Sequence, residues 1–197
     1  ESEAIINQDY NLSQKTDGSG NIWQKKLNKD GEELEEKDPL NRTTTYERDY
    51  KGNIIQITYP NNLIETRTYD NLSNMLTQTI GDSTTTWTYH STWNKVTTKT
   101  DALGRITNYS YDEKGNLEQI TNALNETSTI EYSDQGLITK IIKLDNTEIN
   151  YSYDAQGNLI QKTDELGRSW IYTRDNYGNI TSLTDPLNHT TTYEYDI

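Results

Sequence analysis

The sequence offers few side chains that could carry acid–base or nucleophilic chemistry. Its two histidines are His90 and His189, each predicted at a turn or strand end, and no Ser/His/Asp arrangement can be built around them. The chain has no cysteine, which excludes disulfides, thiolate zinc sites and cysteine nucleophiles. We therefore expect both histidines to be surface residues, and we predict no enzyme activity, no catalytic residue, no metal site and no cofactor.

The 31 acidic residues raise two other possibilities, a glycosidase pair and a calcium site. Many of the aspartates, however, open short segments that end in glycine, where the side chain caps backbone N–H groups of a turn. A catalytic pair would not recur at every period, so we favour turn chemistry over calcium binding or catalysis. The residues predicted to form these structural turns are Asp101, Gly104, Asp112, Gly115, Asp154, Gly157, Asp164, Gly167, Asp175 and Gly178.

Charge and glycine spacing argue against nucleotides and nucleic acids as partners. The net charge is −13 and no cluster of Lys or Arg is present, whereas phosphate contacts need such clusters. The glycines occur once per repeat, not bunched between a strand and a helix as a dinucleotide fingerprint requires. Helical periodicity is absent except for a hint in Glu32–Lys37, and no stretch approaches the roughly 20 apolar residues of a membrane span. We expect neither nucleic-acid binding nor membrane insertion.

The turns belong to an internal repeat of about 21 residues. The segment that begins at Tyr109 returns at Tyr151 and again at Tyr193, two periods apart each time. The residue after the first turn is Asn in seven of nine repeats, with Glu32 and Leu137 as the exceptions. No domain boundary is visible, so we predict one array over residues 1–197, with degenerate repeats in 1–42 and well-formed repeats in 43–197.

Between the turns lie runs of six or seven residues, the ordinary length of a β-strand. We predict an all-β fold of about nine tandem antiparallel β-hairpins, which form a curled, spiralling sheet or part of a β-shell because long open sheets rarely stay flat. Alternation in these strands puts aromatic side chains of successive repeats in columns. Such rings could stack on sugars, or they could form cross-strand ladders that hold the sheet together, which we favour. The stacking candidates are Trp87, Trp93, Tyr109, Tyr111, Tyr151, Tyr153 and Trp170.

The pattern Tyr-x-Tyr-Asp-x-x-Gly-Asn-Leu-x-x-x-Thr-Asp-x-x-Gly-Arg, seen almost complete at 109–125 and 151–168, resembles the YD repeats of RHS proteins. Related repeats occur in Rhs-type polymorphic toxins, insecticidal toxin complexes, Gram-positive wall-associated proteins and teneurins. The resemblance covers essentially the whole chain, more weakly before Thr43. It implies a section of a hollow β-shell that, in many bacterial members, encloses a C-terminal toxin domain. Because the proline- and glycine-rich segment that closes such shells is not seen in these residues, we expect a piece of wall without plug or cargo.

Our first functional hypothesis is therefore a structural segment of a large secreted or cell-surface RHS protein of bacterial type. Its partner would be the remainder of the parent chain, including shell and cargo. The runner-up is an adhesive module that binds carbohydrate or a surface protein through the aromatic columns. A hydrolase and an ice-binding surface on the threonine runs are more distant alternatives. Exposed edge strands would also permit edge-to-edge self-association.

Overall fold

The computed structural model describes residues 4–7 and 10–196, and every regular element in these two ranges is a β-strand. This confirms the all-β class and the tandem antiparallel hairpins. The chain divides into two compact units, the first ending at Arg105 and the second beginning at Ile106. Whether the repeats behave as one array stays a prediction. The charged run Glu32–Lys37, which hinted at a helix, closes a turn with Glu32 and forms a strand over Glu33–Lys37, where Glu35 and Glu36 pair with lysines of the preceding strand.

The first unit is a meander in which each strand pairs antiparallel with its neighbours along the chain. Its strands are β1 (Ala4–Asn7), β2 (Tyr10–Thr16), β3 (Ile22–Leu27), β4 (Glu33–Lys37), β5 (Thr43–Arg48), β6 (Ile54–Thr58), β7 (Ile64–Tyr69), β8 (Met75–Ile80), β9 (Ser83–Tyr89) and β10 (Val96–Thr100).

The second unit follows the same plan. Its strands are β11 (Ile106–Tyr111), β12 (Leu117–Thr121), β13 (Thr127–Tyr132), β14 (Ile138–Ile142), β15 (Glu148–Tyr153), β16 (Leu159–Thr163), β17 (Ser169–Arg174), β18 (Ile180–Thr184) and β19 (Thr190–Thr192). The described residues thus contain one strand more than the roughly 18 expected, since a strand begins again after the last turn.

The two faces of each unit differ in chemistry, because residues paired across an antiparallel ladder point to the same side. One face, which we call the aromatic face, carries most of the Tyr and Trp side chains with Ile and Leu partners, although some isoleucines, such as Ile142 and Ile171, lie on the other face. In the second unit its ladder includes the pairs Tyr109–Ile120, Ile141–Ile149 and Tyr172–Leu183. The other face, which we call the hydroxyl face, carries pairs such as Thr121–Thr127 in the second unit and Thr77–Thr86 in the first.

Neither unit has an ordinary hydrophobic core. Among the described residues, element contacts join only strands that are neighbours along the chain, and Ile57 is the only hydrophobic side chain that is buried. Leucines in the turns are largely exposed, as Leu103 shows at 76%. With so little apolar burial, the ladders, the turns and side-chain hydrogen bonds must supply much of the specificity of the fold.

Candidate functional site

The turn aspartates hold each hairpin loop by hydrogen bonds to the backbone. In the turn between β11 and β12, Asp112 Oδ1 accepts from Lys114 N at 2.9 Å and Asn116 N at 2.7 Å. Gly115 N donates to Asp112 O, and Gly115 has a φ of 81°. A side chain with Cβ strains that left-handed conformation, which is the physical reason for glycine at this position.

The residue four places after the aspartate completes the turn. In the first turn of a repeat it is usually Asn, whose amide donates to the second carboxylate oxygen, as Asn116 Nδ2 does to Asp112 Oδ2 at 2.9 Å. Asp154 and Asn158 repeat this bond at 3.0 Å, and Asp175 and Asn179 at 2.9 Å. Asn53 and Asn74 make the same bond, so five of the seven Asn residues in this column are turn donors, whereas the Asn94 amide donates to Asn74 Oδ1.

In the second turn of a repeat, Arg commonly takes the place of Asn. Arg105 Nε donates to Asp101 Oδ2 at 2.6 Å, and Arg168 Nε donates to Asp164 Oδ2 at 2.7 Å. These hydrogen bonds lower the pKa of the carboxyl groups that accept them. The side-chain hydrogen bond from Asn116 lowers the pKa of Asp112, and that from Arg168 lowers the pKa of Asp164. For Asp101 the backbone N–H of Arg105 is the main cause of a lowered pKa.

The exception at Glu32 is explained by an exchange of roles in its turn. Here Asn28 opens the turn and Glu32 closes it, and Asn28 Nδ2 donates to Glu32 Oε2 at 2.7 Å. Asn122 and Glu126 make the same exchanged pair at 2.7 Å. Donor and acceptor are swapped while the bond is kept, so the turn survives a change that looks like degeneration in the sequence.

The second aromatic column joins neighbouring strands through its hydroxyl groups. Tyr132 OH donates to Leu117 O at 2.9 Å, and Tyr153 OH donates to Ile138 O at 2.8 Å. The β12–β13 ladder ends at Gln119–Thr129, so the tyrosine satisfies a carbonyl that lies beyond it. We call each such bond a staple. The other tyrosine staples are Tyr69 to Ile54, Tyr89 to Met75 and Tyr195 to Ile180.

Arginines that interrupt the column make the same bond. Arg48 Nε lies 3.4 Å from Glu33 O, and Arg174 Nε lies 3.3 Å from Leu159 O, each the first residue of the preceding strand. Both arginines also donate to the carbonyl of the turn glycine that follows, at 2.8 Å. At these two positions the column keeps a hydrogen-bond donor of suitable length in place of tyrosine, whereas Leu27 in the same column has no side-chain donor.

The structure places all seven stacking candidates as half-buried side chains. Tyr153 makes a staple, and burial raises the pKa of Tyr111 and Tyr153. Trp93 stacks on His90 with ring centroids 4.1 Å apart. The ring centroid of Trp170 lies 6.0 Å from Lys162 Nζ and 6.0 Å from the Arg168 guanidinium carbon.

The remaining candidates lie on separate parts of the ladders. Trp87 is on β9 of the first unit, paired with Lys99. Tyr109 pairs with Ile120 and Tyr151 with Lys162, and their strands β11 and β15 are separated by three others. At about 4.8 Å per strand these two tyrosines are roughly 19 Å apart. The candidates thus do not converge on a single pocket.

The sequence analysis did not identify two groups of side chains that the structure brings together. Glu65 on the aromatic face is 2% exposed and accepts from Tyr59 OH at 2.7 Å, Arg67 Nε at 2.6 Å and Gln78 Nε2 at 2.7 Å. A carboxylate at a strand position that is apolar or hydroxylic in other repeats is the signal that could have revealed it. Burial opposes ionisation, but the hydrogen bonds from Gln78, Tyr59 and Arg67 outweigh it and lower the pKa of Glu65.

The second grouping is a groove of about 560 Å³ on the first unit. It is lined by Ser13, Gln14, Lys15, Asp17, Trp23, Lys25 and Glu36. Trp23 was not among the stacking candidates, because its repeat lacks the YD motif. The groove combines an aromatic ring with charged and amide side chains.

The histidines take part in turns. His90 Nδ1 accepts from Thr92 N at 3.1 Å, a bond that an aspartate oxygen makes elsewhere, and His189 Nδ1 lies 3.0 Å from Asp185 Oδ2. Within residues 4–7 and 10–196, no group of three or more His, Asp or Glu side chains is arranged to hold a metal ion. The same part of the chain contains no helix long and apolar enough to cross a membrane.

These features define the chain as a tandem β-hairpin repeat protein whose recurring polar residues serve its turns and strand junctions. The RHS Repeat family matches residues 28–64, 90–127 and 153–189, which make up more than half of the sequence. The chain belongs to the RHS repeat family, as the motif resemblance predicted.

Similar solved structures include a TcdB2-TccC3 structure and a Tc holotoxin pore. A crystal structure of TcdB2-TccC3 without its hypervariable C-terminal region is 14% identical over 89% of this chain and 14% of that chain, with a TM-score of 0.46. The Photorhabdus luminescens Tc holotoxin pore is 13% identical over 89% and 14%, at 0.37. A porin-like protein from Bacteroides uniformis is 17% identical over 91% of both chains, at 0.37.

The chain spans about 14% of the length of the Tc toxin chains that it matches. Comparison with curated protein sequences gave no match. The family assignment rests on the recurring sequence match.

Proposed function

We propose that this chain is a non-catalytic wall segment in the β-shell of a larger, secreted or cell-surface RHS-repeat protein, and that the shell encloses a C-terminal toxin domain. The observation that carries the proposal is the repetition of the staple. In both units a Tyr or Arg in the same place bonds the first carbonyl of the preceding strand, as Tyr69 does in the first and Tyr153 in the second. Repeated equivalent bonds serve an architecture, whereas catalysis needs a unique constellation.

The contrast between the two faces supports a wall. The hydroxyl face presents Thr, Ser and Asn side chains that water solvates readily, while the aromatic face presents rings and branched aliphatic side chains that are only half-buried. A large, exposed apolar surface on a soluble protein generally marks a contact with another segment. In a shell, the rest of the parent chain and its cargo would supply that contact.

The proposal is testable on the full-length protein. We expect its C-terminal region to resist added protease while the wall is intact and to become cleavable when two successive staples are removed by Tyr132→Phe and Tyr153→Phe together. Tyr177→Phe is the matched control, because Tyr177 is 91% exposed in a turn. Equal cleavage of the C-terminal region in the wild-type protein and in the double variant would contradict enclosure by this wall.

A second candidate function is an adhesive module for carbohydrate or a surface protein, and the groove at Trp23 favours it. Sugar rings stack on indole faces while flanking polar side chains bind their hydroxyl groups. The lining side chains Gln14, Lys15 and Glu36 are of the kind that would do so. A saturable change in tryptophan fluorescence on titration with oligosaccharides, lost in Trp23→Ala and retained in Trp170→Ala, would support this role. The absence of a saturable change would leave the wall segment as the only proposed function.

A further inference from the structure

The first unit contains two Asp-Gly sequences, Asp17-Gly18 and Asp30-Gly31, and the structure treats them differently. In an Asp-Gly sequence the backbone nitrogen of glycine can attack the aspartate side chain, because no Cβ obstructs its approach. Neither Gly18 nor Gly31 has a heavy atom within 4 Å of the place where a Cβ would stand. Steric access to the two sequences is therefore the same, and the bonds around each carboxyl group decide between them.

The Asp17 carboxylate is held by three donors. Its Oδ1 accepts from Ser19 N and Asn21 N, both at 2.9 Å, and its Oδ2 accepts from Asn21 Nδ2 at 2.8 Å. The side-chain bond from Asn21 is the main cause of a lowered pKa for Asp17. Attack by Gly18 N would require the carboxyl group to leave these donors and to take up a proton. Both steps oppose reaction.

Asp30 lies in the middle of the turn between β3 and β4, where Asn28 has taken over the capping role. Asn28 Oδ1 accepts from Asp30 N at 3.0 Å and from Glu32 N at 2.8 Å. Among the residues that the structure describes, no group donates to the Asp30 carboxylate, and both Asp30 and Gly31 are exposed. One bond opposes reaction here, from Gly31 N to Asn28 O at 3.1 Å.

We propose that Asp30-Gly31 is a site of spontaneous aspartate isomerisation in the folded protein and that Asp17-Gly18 is protected from it. Gly31 N attacks Asp30 Cγ, forming an N–Cγ bond. The carboxyl oxygen leaves as water with the amide hydrogen and a proton from solvent, which gives a five-membered succinimide. Water then opens either ring carbonyl and restores aspartate or yields isoaspartate. The overall change is an isomerisation, with no oxidant or co-reactant beyond water.

Isoaspartate would alter the turn that makes it. The main chain gains one carbon between Asp30 and Gly31, so Gly31 N can no longer keep its place opposite Asn28 O. The turn joins the two strands whose charges face each other, with Lys25 Nζ 2.9 Å from Glu33 Oε2. We expect a local loosening of the β3–β4 hairpin, while the repeats of the second unit keep their bonds.

The experiment is ageing of the folded chain in mildly acidic buffer at physiological temperature, followed by peptide mapping with electron-transfer fragmentation to locate isoaspartate. Because the three hydrogen bonds to the Asp17 carboxylate must break before Gly18 N can attack, we expect isoaspartate at Asp30 to exceed that at Asp17 by at least on the order of tenfold. Asp30→Glu, which cannot form the five-membered ring, should abolish the product at this position.

Two controls make the result decisive. Asn21→Ala removes one donor from Asp17 and should raise isoaspartate there, without affecting Asp30. In the urea-unfolded chain both sequences should react at similar rates, since neither carboxylate then has a fixed donor. Equal rates at Asp17 and Asp30 in the folded chain, faster reaction at Asp17, or product only after unfolding would overturn the proposal.

Discussion

Two equivalent positions, Glu65 in the first unit and Ile149 in the second, lie four repeats apart and solve the same packing problem by different chemistry. Each is the second residue of its strand and pairs with an isoleucine, Ile57 or Ile141. Ile149 packs by apolar contact, whereas Glu65 is buried with Tyr59, Arg67 and Gln78 as donors. The hairpin plan tolerates this difference because the backbone hydrogen bonds of its turns and the tyrosine staples recur in both units.

The comparison shows which features carry the fold. The backbone bonds of the preceding turns, from Tyr59 N to Leu63 O and from Lys143 N to Thr147 O, and the staples of Tyr69 and Tyr153 persist while the side chains on the aromatic face change from aliphatic to ionic. Protonation of the turn carboxylates should therefore disturb both units at once. Replacing the ionic side chains around Glu65 by the apolar ones found around Ile149 should disturb the first unit alone.

The largest effect we expect comes from acid. The pKa of the turn carboxyls, among them Asp112, Asp154, Asp164 and Asp175, is lowered in the folded state, mainly by hydrogen bonds from side chains four residues on. Their contribution is fully present above the ordinary aspartate pKa of about 3.9 and is lost as the pH falls through the lowered folded values. Unfolding in urea at pH steps below about 5 should show stability falling with pH in both units. Stability that does not change across this window would contradict the role given to the turns.

Exchange of the face should have the next largest effect. Glu65→Ile removes the acceptor of a partly buried arginine and should lower the free energy of unfolding by about 3 kcal/mol, because breaking a buried ion pair strands its partner. Glu65→Ile with Arg67→Tyr transplants the pair found at Ile149 and Tyr151, so it should recover most of the loss. Glu113→Ala, at an exposed turn position, is the control. If the double variant were no more stable than Glu65→Ile, the two versions of the face would not be interchangeable.

Removal of one staple should cost less. Tyr153→Phe leaves Ile138 O without its donor and should lower the free energy of unfolding by about 1 kcal/mol. Tyr153→Arg should retain part of the stability, because Arg174 makes the equivalent bond to Leu159 O. Denaturant unfolding of both variants beside Tyr177→Phe tests this. A phenylalanine variant as stable as the wild type would show that the hydroxyl group contributes nothing.

The smallest effect is expected from a single turn. Asn116→Glu places two carboxylates at the positions joined by the Asp112–Asn116 bond and should lower the melting temperature slightly. Adding Asp112→Asn recreates the exchanged pair seen at Asn122 and Glu126, and should restore it. A thermal melt that shows no difference between the single and double variants would argue against the pairing rule.

Much of the fold could be predicted from the sequence because its signals are local. Asp112 and Gly115 specify their turn by their own conformational preferences, and alternation around Tyr109 and Tyr111 indicates the strand. The roles of Arg48 and Glu65 could not be predicted, because each depends on a partner on a neighbouring strand that only strand register identifies. Glu32 departs from the Asn column and Arg48 stands where other repeats have Tyr, yet each keeps the hydrogen bond made at its position.

The candidate site was harder to predict than the fold. A column of Tyr and Trp residues in sequence does not tell whether the rings stack on a ligand or on their neighbours. The structure shows that the His90 ring stacks on Trp93 and that the Tyr153 hydroxyl group donates to Ile138 O. Neither contact could be predicted from the sequence. Trp23 and its groove lie in a repeat whose motif is incomplete, so the motif did not indicate Trp23 as a candidate.

The most direct test of the account is amide hydrogen exchange on the purified chain, followed by mass spectrometry. If the turns and staples hold the repeats, strand amides in both units should be protected with a period of about 21 residues, with faster exchange at exposed turn residues such as Ala102 and Glu113. Tyr153→Phe should deprotect only the strands next to its staple. Protection confined to one unit or without this period would contradict the account, as would global loss of protection in that variant.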